Sequence, residues 1–286
     1  MDRARRTTSR APSTGSSRVD SVSPGGPELK AAAEIAVMER AGRIVWEILQ
    51  ALREAAVPGA TTLELDTLAE KLIYEKGATP AFRGYRGFPG SVCISVNEEV
   101  VHGIPSERRA LKEGDIVSLD FGVVVGGFYG DSAITVPVGQ VSPEAQRLVD
   151  VTRQAMHDGI AQMAAGRRLH DIGHAVQERV ERAGFSVVRD FVGHGIGRRL
   201  HEEPQLPNYG KAGTGMRLRP GLVLAIEPTV NAGAPDVEIL QDEWTAVTRD
   251  GKPSAHFEHT VAILEDGPRI LTLPPGIPPG REGLPQ

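Results

Sequence analysis

The chain matches itself. Shifted so that Leu111 falls on Leu218, a slide of 107 positions, residues 111–120 and 218–227 share a leucine, a basic residue, a glycine, an apolar run and a terminal carboxylate, Asp120 or Glu227. At the same shift Gly59 and Gly77 fall on Gly166 and Gly184, at both ends of two helix-like segments. A third echo, His102-Gly103-Ile104-Pro105 against His201-Glu202-Glu203-Pro204, has a shorter offset of 99 and requires an indel. One such match is weak, but three in one order predict two structurally similar halves with acidic or histidine residues at equivalent points, and a site between them.

Within each half, helical and strand patterns follow one another. Apolar spacing predicts helices over 29–56 and 62–76, the second stopped by Gly77, and again over 145–165 and 169–183. Segments 91–96, 116–125, 128–138, 186–191, 222–227 and 256–264 read as strands, several rich in β-branched residues and bounded by glycine or proline. This core is expected to occupy 29–273 as one domain. Residues 1–28 read as a disordered tail, with Arg3, Arg5, Arg6, Arg10 and Arg18 set against Asp2 and Asp20. That tail is either a solvated leader, a misassigned start, or a contact with ribosomal RNA. Residues 274–286 hold five prolines and three glycines and read as a second tail.

Composition narrows the chemistry. A net charge of -5 excludes nucleic-acid binding through bulk positive charge, so no specific nucleic-acid partner is expected. With Cys93 the only cysteine, no internal disulfide or thiolate zinc cage can form, and any metal must be held by His, Asp and Glu. No apolar run approaches the roughly 20 residues that span a bilayer, and the N-terminus lacks a signal-peptide core; the chain reads as cytoplasmic, without a membrane partner.

Asp120 and Asp131 flank Gly126-Gly127 in a strand-turn-strand pattern. If Val125 and Gly126 form a two-residue turn, the two aspartates face each other, and carboxylates that close repel unless a cation lies between them. The alternative is a pair of turn-flanking acids pointing into water. His194 sits among glycines in Gly193-His194-Gly195-Ile196-Gly197, as a ligand or as a hydrogen-bonded loop residue. Glu227 ends an apolar strand before Pro228, where an uncompensated carboxylate is costly. Glu258 alternates with apolar neighbours, as a ligand, a salt-bridge partner or a solvent-facing acid. Together the five suffice for two adjacent metal ions sharing carboxylates.

These residues resemble the type I methionine aminopeptidases. The resemblance rests on Asn97-Glu98-Glu99-Val100-Val101-His102-Gly103-Ile104-Pro105, Gly130-Asp131, Gly193-His194-Gly195-Ile196-Gly197, His201-Glu202-Glu203-Pro204, Ile226-Glu227-Pro228 and Phe257-Glu258-His259-Thr260. It implies an α+β pita-bread fold, two pseudo-symmetric halves around a central antiparallel sheet with a dinuclear metal site between them. It also implies release of the initiator methionine from nascent polypeptides when the next residue is small. By that resemblance Asp120, Asp131 and Glu258 would hold one divalent ion (cobalt, manganese, iron or zinc), and Asp131, His194, Glu227 and Glu258 the other. Glu227 would shuttle the proton, and His102 and His201 would bind substrate. Tyr85, Phe88, Cys93 and Trp244 would line the methionine pocket, whose shape Leu200 alters where many relatives carry an aromatic residue. The same resemblance implies a monomer.

Overall fold

A computed structural model describes residues 26–277; residues 1–25 and 278–286 of the expected tails lie outside that range. The first half runs α1 (Ala32–Ala55), α2 (Thr62–Glu75), β1 (Thr79–Pro80), β2 (Cys93–Val96), β3 (Glu99–Val101), β4 (Ile116–Val125) and β5 (Phe128–Pro137). The second runs α3 (Pro143–Ile160), α4 (Leu169–Arg182), β6 (Ser186–Val187), β7 (Gly193–Gly195), β8 (Glu202–Leu206), β9 (Val223–Ile226) and β10 (Thr229–Asn231). It continues with β11 (Val237–Ile239), β12 (Ala246–Thr248), β13 (Ser254–His256), β14 (Glu258–Leu264) and β15 (Gly267–Ile270).

Local chemistry sets these boundaries. Thr61 caps α2 reciprocally: its hydroxyl accepts the Glu64 N–H at 3.2 Å, and its own N–H donates to Glu64 Oε2 at 2.7 Å. At the other end Gly77 (φ 69°) turns left-handed, its N–H reaching the Tyr74 carbonyl while Ala78 reaches Ile73, so the last carbonyls are satisfied. α4 ends in the same way at Gly184 (φ 78°), with Gly184 bonded to Glu181 and Phe185 to Val180. α1 buries Ile35, Met38, Ala41, Val45, Ile48, Leu49 and Leu52, a stripe at helical spacing. Burying each large member of it stabilises the fold by about 1.5–3 kcal/mol. The helix lies directly on β5, because a Cβ at Gly130 would come within 2.9 Å of the Gly42 backbone.

The nine-stranded sheet has the order β1-β4-β5-β14-β9-β7-β8, with β2 also on β4 and β15 also on β14. Outward from the antiparallel β5–β14 seam the halves mirror one another, β5, β4 and β2 on one side and β14, β9 and β7 on the other. Two three-stranded sheets, β13-β10-β6 and β11-β12-β3, flank it. One continuous core joins the halves through Leu119 and Phe121 from the first and Leu224, Ile226 and Phe257 from the second.

Three expectations are corrected. The hairpin turns at Gly126-Gly127, with Val125 paired to Phe128, so Asp131 faces Gly122 and Asp120 faces Ala133; the aspartates are diagonal neighbours rather than opposed. Both glycines have positive φ (57° and 79°), which a two-residue turn of this hand requires at both positions and which valine resists. α3 stops at Ile160, short of residue 165. The expected strand over 256–264 is broken at Phe257, whose N–H bonds to the Pro228 carbonyl as the chain passes from β13 to β14.

Candidate metal centre

Sheet register builds the centre. Cys93 pairs with Asp120, Asp120 with Ala133, and Ala133 with Glu258, one row across four strands. Asp131 is two residues from Ala133 and therefore on the same face. A Cβ at its partner Gly122 would lie 3.3 Å from Asp131 Oδ1, so the glycine leaves room for the carboxylate. Thr260 fixes the backbone behind it, accepting the Asp131 N–H at 3.1 Å and donating to its carbonyl at 2.8 Å. His194 enters the same face through its pairing with Ala225, which in turn pairs with Thr260. Continuing the β9–β14 register by one residue brings Glu227 opposite Glu258.

The electrostatics suit a cation. Asp120, Asp131, His194 and Glu258 are buried. Among the described residues Asp120 Oδ1, Asp131 Oδ1 and Glu258 Oε1 have no hydrogen-bond partner, and such buried carboxylate oxygens are expensive. Burial, followed by the neighbouring carboxylates, pushes the carboxyls of Asp120, Glu227 and Glu258 well above their usual range. Asp131 is pushed up to about 7 by burial, opposed by the Ser132 N–H. His194 is lowered to about 4 by burial. Its Nδ1 lies 2.9 Å from the Gly195 carbonyl, which can only accept, so Nδ1 carries the proton and Nε2 is a free lone pair 3.4 Å from Glu227 Oε1. Ligand atoms of Asp131, His194 and Glu258 all lie within 4.8 Å of one another. Hard carboxylate oxygens with one imidazole fit divalent manganese, iron, cobalt or zinc.

The five residues line one cavity of about 170 Å³ with His102, His201, Tyr85, Phe88, Cys93, Trp244 and Leu200. Every sequence-derived site residue thus reaches the same space. Phe82 and Arg86 also line it and were not singled out from the sequence; their only signal is their place beside Tyr85. The two histidines are held differently. His201 Nδ1 is 2.8 Å from the Tyr85 hydroxyl, and its ring centroid is 4.3 Å from that of His194. His102 follows β3 in left-handed backbone (φ 60°), its ring edge-on to Phe191 and Trp244. Burial lowers His102 to about 4 and His201 to about 3, so both imidazoles are neutral near pH 7. No helix among the described residues is long and apolar enough to cross a membrane.

Comparison with known proteins agrees with this geometry. The profile of Metallopeptidase family M24 matches residues 36–265. A methionine aminopeptidase of Clostridium acetobutylicum is 52% identical over 240 residues, covering 84% of this chain and 96% of the relative. Methionine aminopeptidase 1 of Bacillus subtilis is 53% identical over 239 residues, with coverage of 84% and 96%. The crystal structure of the methionine aminopeptidase from Thermotoga maritima superimposes with a TM-score of 0.86 at 48% identity, covering 87% of this chain and all of that one. A pita-bread fold with a curled antiparallel sheet, divalent-metal ligand types in its central cavity and relatives of this identity lead to one conclusion: the chain belongs to metallopeptidase family M24, among its methionine aminopeptidases.

Proposed function

We propose that the chain is a metal-dependent aminopeptidase that hydrolyses the first peptide bond of new proteins, releasing the initiator methionine when the next residue is small. The observation that carries the reading is one cavity in which five metal-ligand residues and two neutral imidazoles meet an apolar wall.

Asp120, Asp131 and Glu258 would hold one divalent ion, and Asp131, His194, Glu227 and Glu258 the other. When bound, such ions acidify water and polarise a carbonyl, the chemistry that peptide hydrolysis needs. The wall of Tyr85, Phe88, Cys93 and Trp244 takes the methionine side chain, because an unbranched thioether packs well on aromatic rings. His102 and His201, neutral at working pH, hydrogen-bond the substrate around the scissile carbonyl and stabilise the charge that grows on its oxygen. Glu227, at the end of β9, moves the proton on its carboxylate from the attacking water to the departing amine.

All of these residues come from one chain, which supports a monomer as the working unit. Its substrate, a nascent N-terminus, arises where proteins are made, which supports a cytoplasmic location. The arginines of the N-terminal segment would contact ribosomal RNA; a chain starting near Pro27 should then keep peptide activity and lose ribosome binding, and equal ribosome binding would sink that part.

The test compares Met-Ala-Ser with Ala-Pro-Ser peptides, using metal-stripped protein before and after addition of manganese or cobalt. Metal-dependent release of methionine alone, abolished in Asp131→Asn, is the expected outcome. Cleavage before proline, or no hydrolysis with any metal, would overturn the reading.

A further inference from the structure

A buried ion pair lies behind the cavity, outside the set of residues that line it. Lys30, two residues before α1, places its ammonium against Glu202 Oε2, and the two side chains are 1% and 3% exposed. Removing both charges from water costs several kcal/mol per ion, and apolar pairs of similar volume often do as well, so stability alone is a poor reason for such a pair. Geometry supplies a better one. Glu202 is the residue after His201. Its second oxygen accepts the Arg199 N–H at 3.1 Å, so one carboxylate closes the loop that presents Leu200 and His201 to the cavity. Lys30 is itself fixed, its N–H donating to the Gly221 carbonyl at 2.7 Å. Its stem crosses Gly197 so closely that a Cβ there would come within 2.1 Å of Lys30 Cε. The Gly197 carbonyl in turn accepts the Tyr129 N–H at 2.8 Å, tying the loop to β5 two residues before Asp131.

We propose that Lys30 and Glu202 are positioning residues that clamp the 197–202 loop to the segment leading into α1, holding the His201 imidazole at the cavity between Tyr85 and His194. The proposal rests on the reading of His201 as a substrate-binding group. Tyr85 holds the ring at one nitrogen from the front. The ion pair holds its backbone from behind, and the two together leave the ring one orientation.

Lys30→Met alone would strand a buried carboxylate, a change that can unfold the chain. The informative variant is Lys30→Met with Glu202→Leu, which removes both charges together. Relative to the parent it should keep its melting temperature and metal content, yet lose about tenfold in kcat on Met-Ala-Ser with KM little changed, the mark of an interaction made in the transition state. Amide exchange at 199–202 should quicken about tenfold, since those hydrogen bonds are no longer held shut. In a His201→Ala background the same two substitutions should change kcat less than about twofold, because their effect passes through the missing ring. Parent-like kcat in the paired variant, or an equal tenfold loss without His201, would overturn the proposal. If the paired variant does not fold, Lys30→Met with Glu202→Gln, which leaves no buried charge and keeps an oxygen for the Arg199 N–H, gives the same readouts at smaller amplitude. If the parent itself releases no methionine, the functional reading falls, while the exchange rates still judge the clamp: unchanged rates at 199–202 refute it.

Discussion

The first half brings Asp120 and Asp131 to the shared face, and the second brings Glu227, Glu258 and His194. Their backbones are closely equivalent. Gly59 donates to the Leu111 carbonyl at 2.8 Å and Gly166 to Leu218 at 3.0 Å; Leu111 donates to Ala60 and Leu218 to Arg167, each at 2.8 Å. Isolated bridges join Thr61 to Ala110 and Arg168 to Arg217, again 107 residues apart. The side chains differ where the chemistry differs. Ser95 pairs with Ser118 as His194 pairs with Ala225, so Ser95 is the first half's counterpart of His194. Its hydroxyl is occupied, accepting the Gly103 N–H at 3.1 Å. One half thus supplies two carboxylates and most of the apolar wall, and the other two carboxylates and the imidazole. A duplicated frame fixes where groups stand, and the identity of a few residues on it decides what each side does.

The sharpest break of this near-symmetry is between Asp120 and Glu227, 107 residues apart, the first within β4 and the second just past β9. If Glu227 moves the proton, Glu227→Gln should lower kcat by about 10²–10⁴-fold, the usual contribution of a positioned acid-base group. Asp120→Asn should act mainly through metal content, so excess manganese should restore a substantial part of its activity and little of the Glu227 variant's. Equal rescue of both by metal would remove the distinction. Titrating each variant with manganese while following methionine release makes the comparison.

A second comparison sets His102 against His201, whose surroundings differ: His102 is half-buried, while His201 is exposed at the cavity. Loss of either ring to alanine should lower kcat by about 10²–10³-fold, the scale of one lost oxyanion donor. Both also leave a signature in stability. Their folded pKa values, about 4 and about 3, lie below the unfolded value of roughly 6.5. Between those limits the unfolded chain binds more protons than the folded one, so this stability is fully present above about pH 6.5 and drains away as pH falls toward 4. Melting curves from pH 7 to pH 4 should therefore fall less steeply for His102→Asn and His201→Asn than for the parent. A parallel decline in all three would mean that neither imidazole is held neutral in the folded chain.

Much of this is legible in the sequence, for reasons that particular residues make plain. The duplication is visible because each half spends its glycines on the same backbone tasks, as Gly77 and Gly184 show at the two helix ends. The ligand types are visible because a carboxylate such as Glu227, set at the end of an apolar strand, is costly without a cation or a donor beside it. The β4–β5 hairpin departs from its expected register by two residues: the spacing of the aspartates suggests direct opposition, but the need for positive φ at both turn positions decides the pairing. The Tyr85–His201 bond joins residues 116 apart, and no local pattern encodes such a meeting. The short strands of the flanking sheets, such as β6 with two residues, carry too few side chains to show a period.

The smallest expected effect concerns the helix caps, where the two halves have diverged without touching the site. Thr61 closes a full capping box on α2, while at the equivalent position of α4 Arg168 contributes only its backbone, its N–H donating to Asp171 Oδ2 at 2.8 Å. Thr61→Ala should cost about 1 kcal/mol and lower the melting temperature by roughly 2–4 °C, with kcat and KM unchanged. Arg168→Thr installs the missing half of the box on α4 but gives up the guanidinium bond to the Gly215 carbonyl at 2.9 Å. These two terms oppose one another, so the net shift should be smaller than that of Thr61→Ala. If Arg168→Thr instead destabilised the chain more than Thr61→Ala, the bond to Gly215 would outweigh a cap, and the second half would have replaced its helix start with a tertiary tether rather than simply lost it.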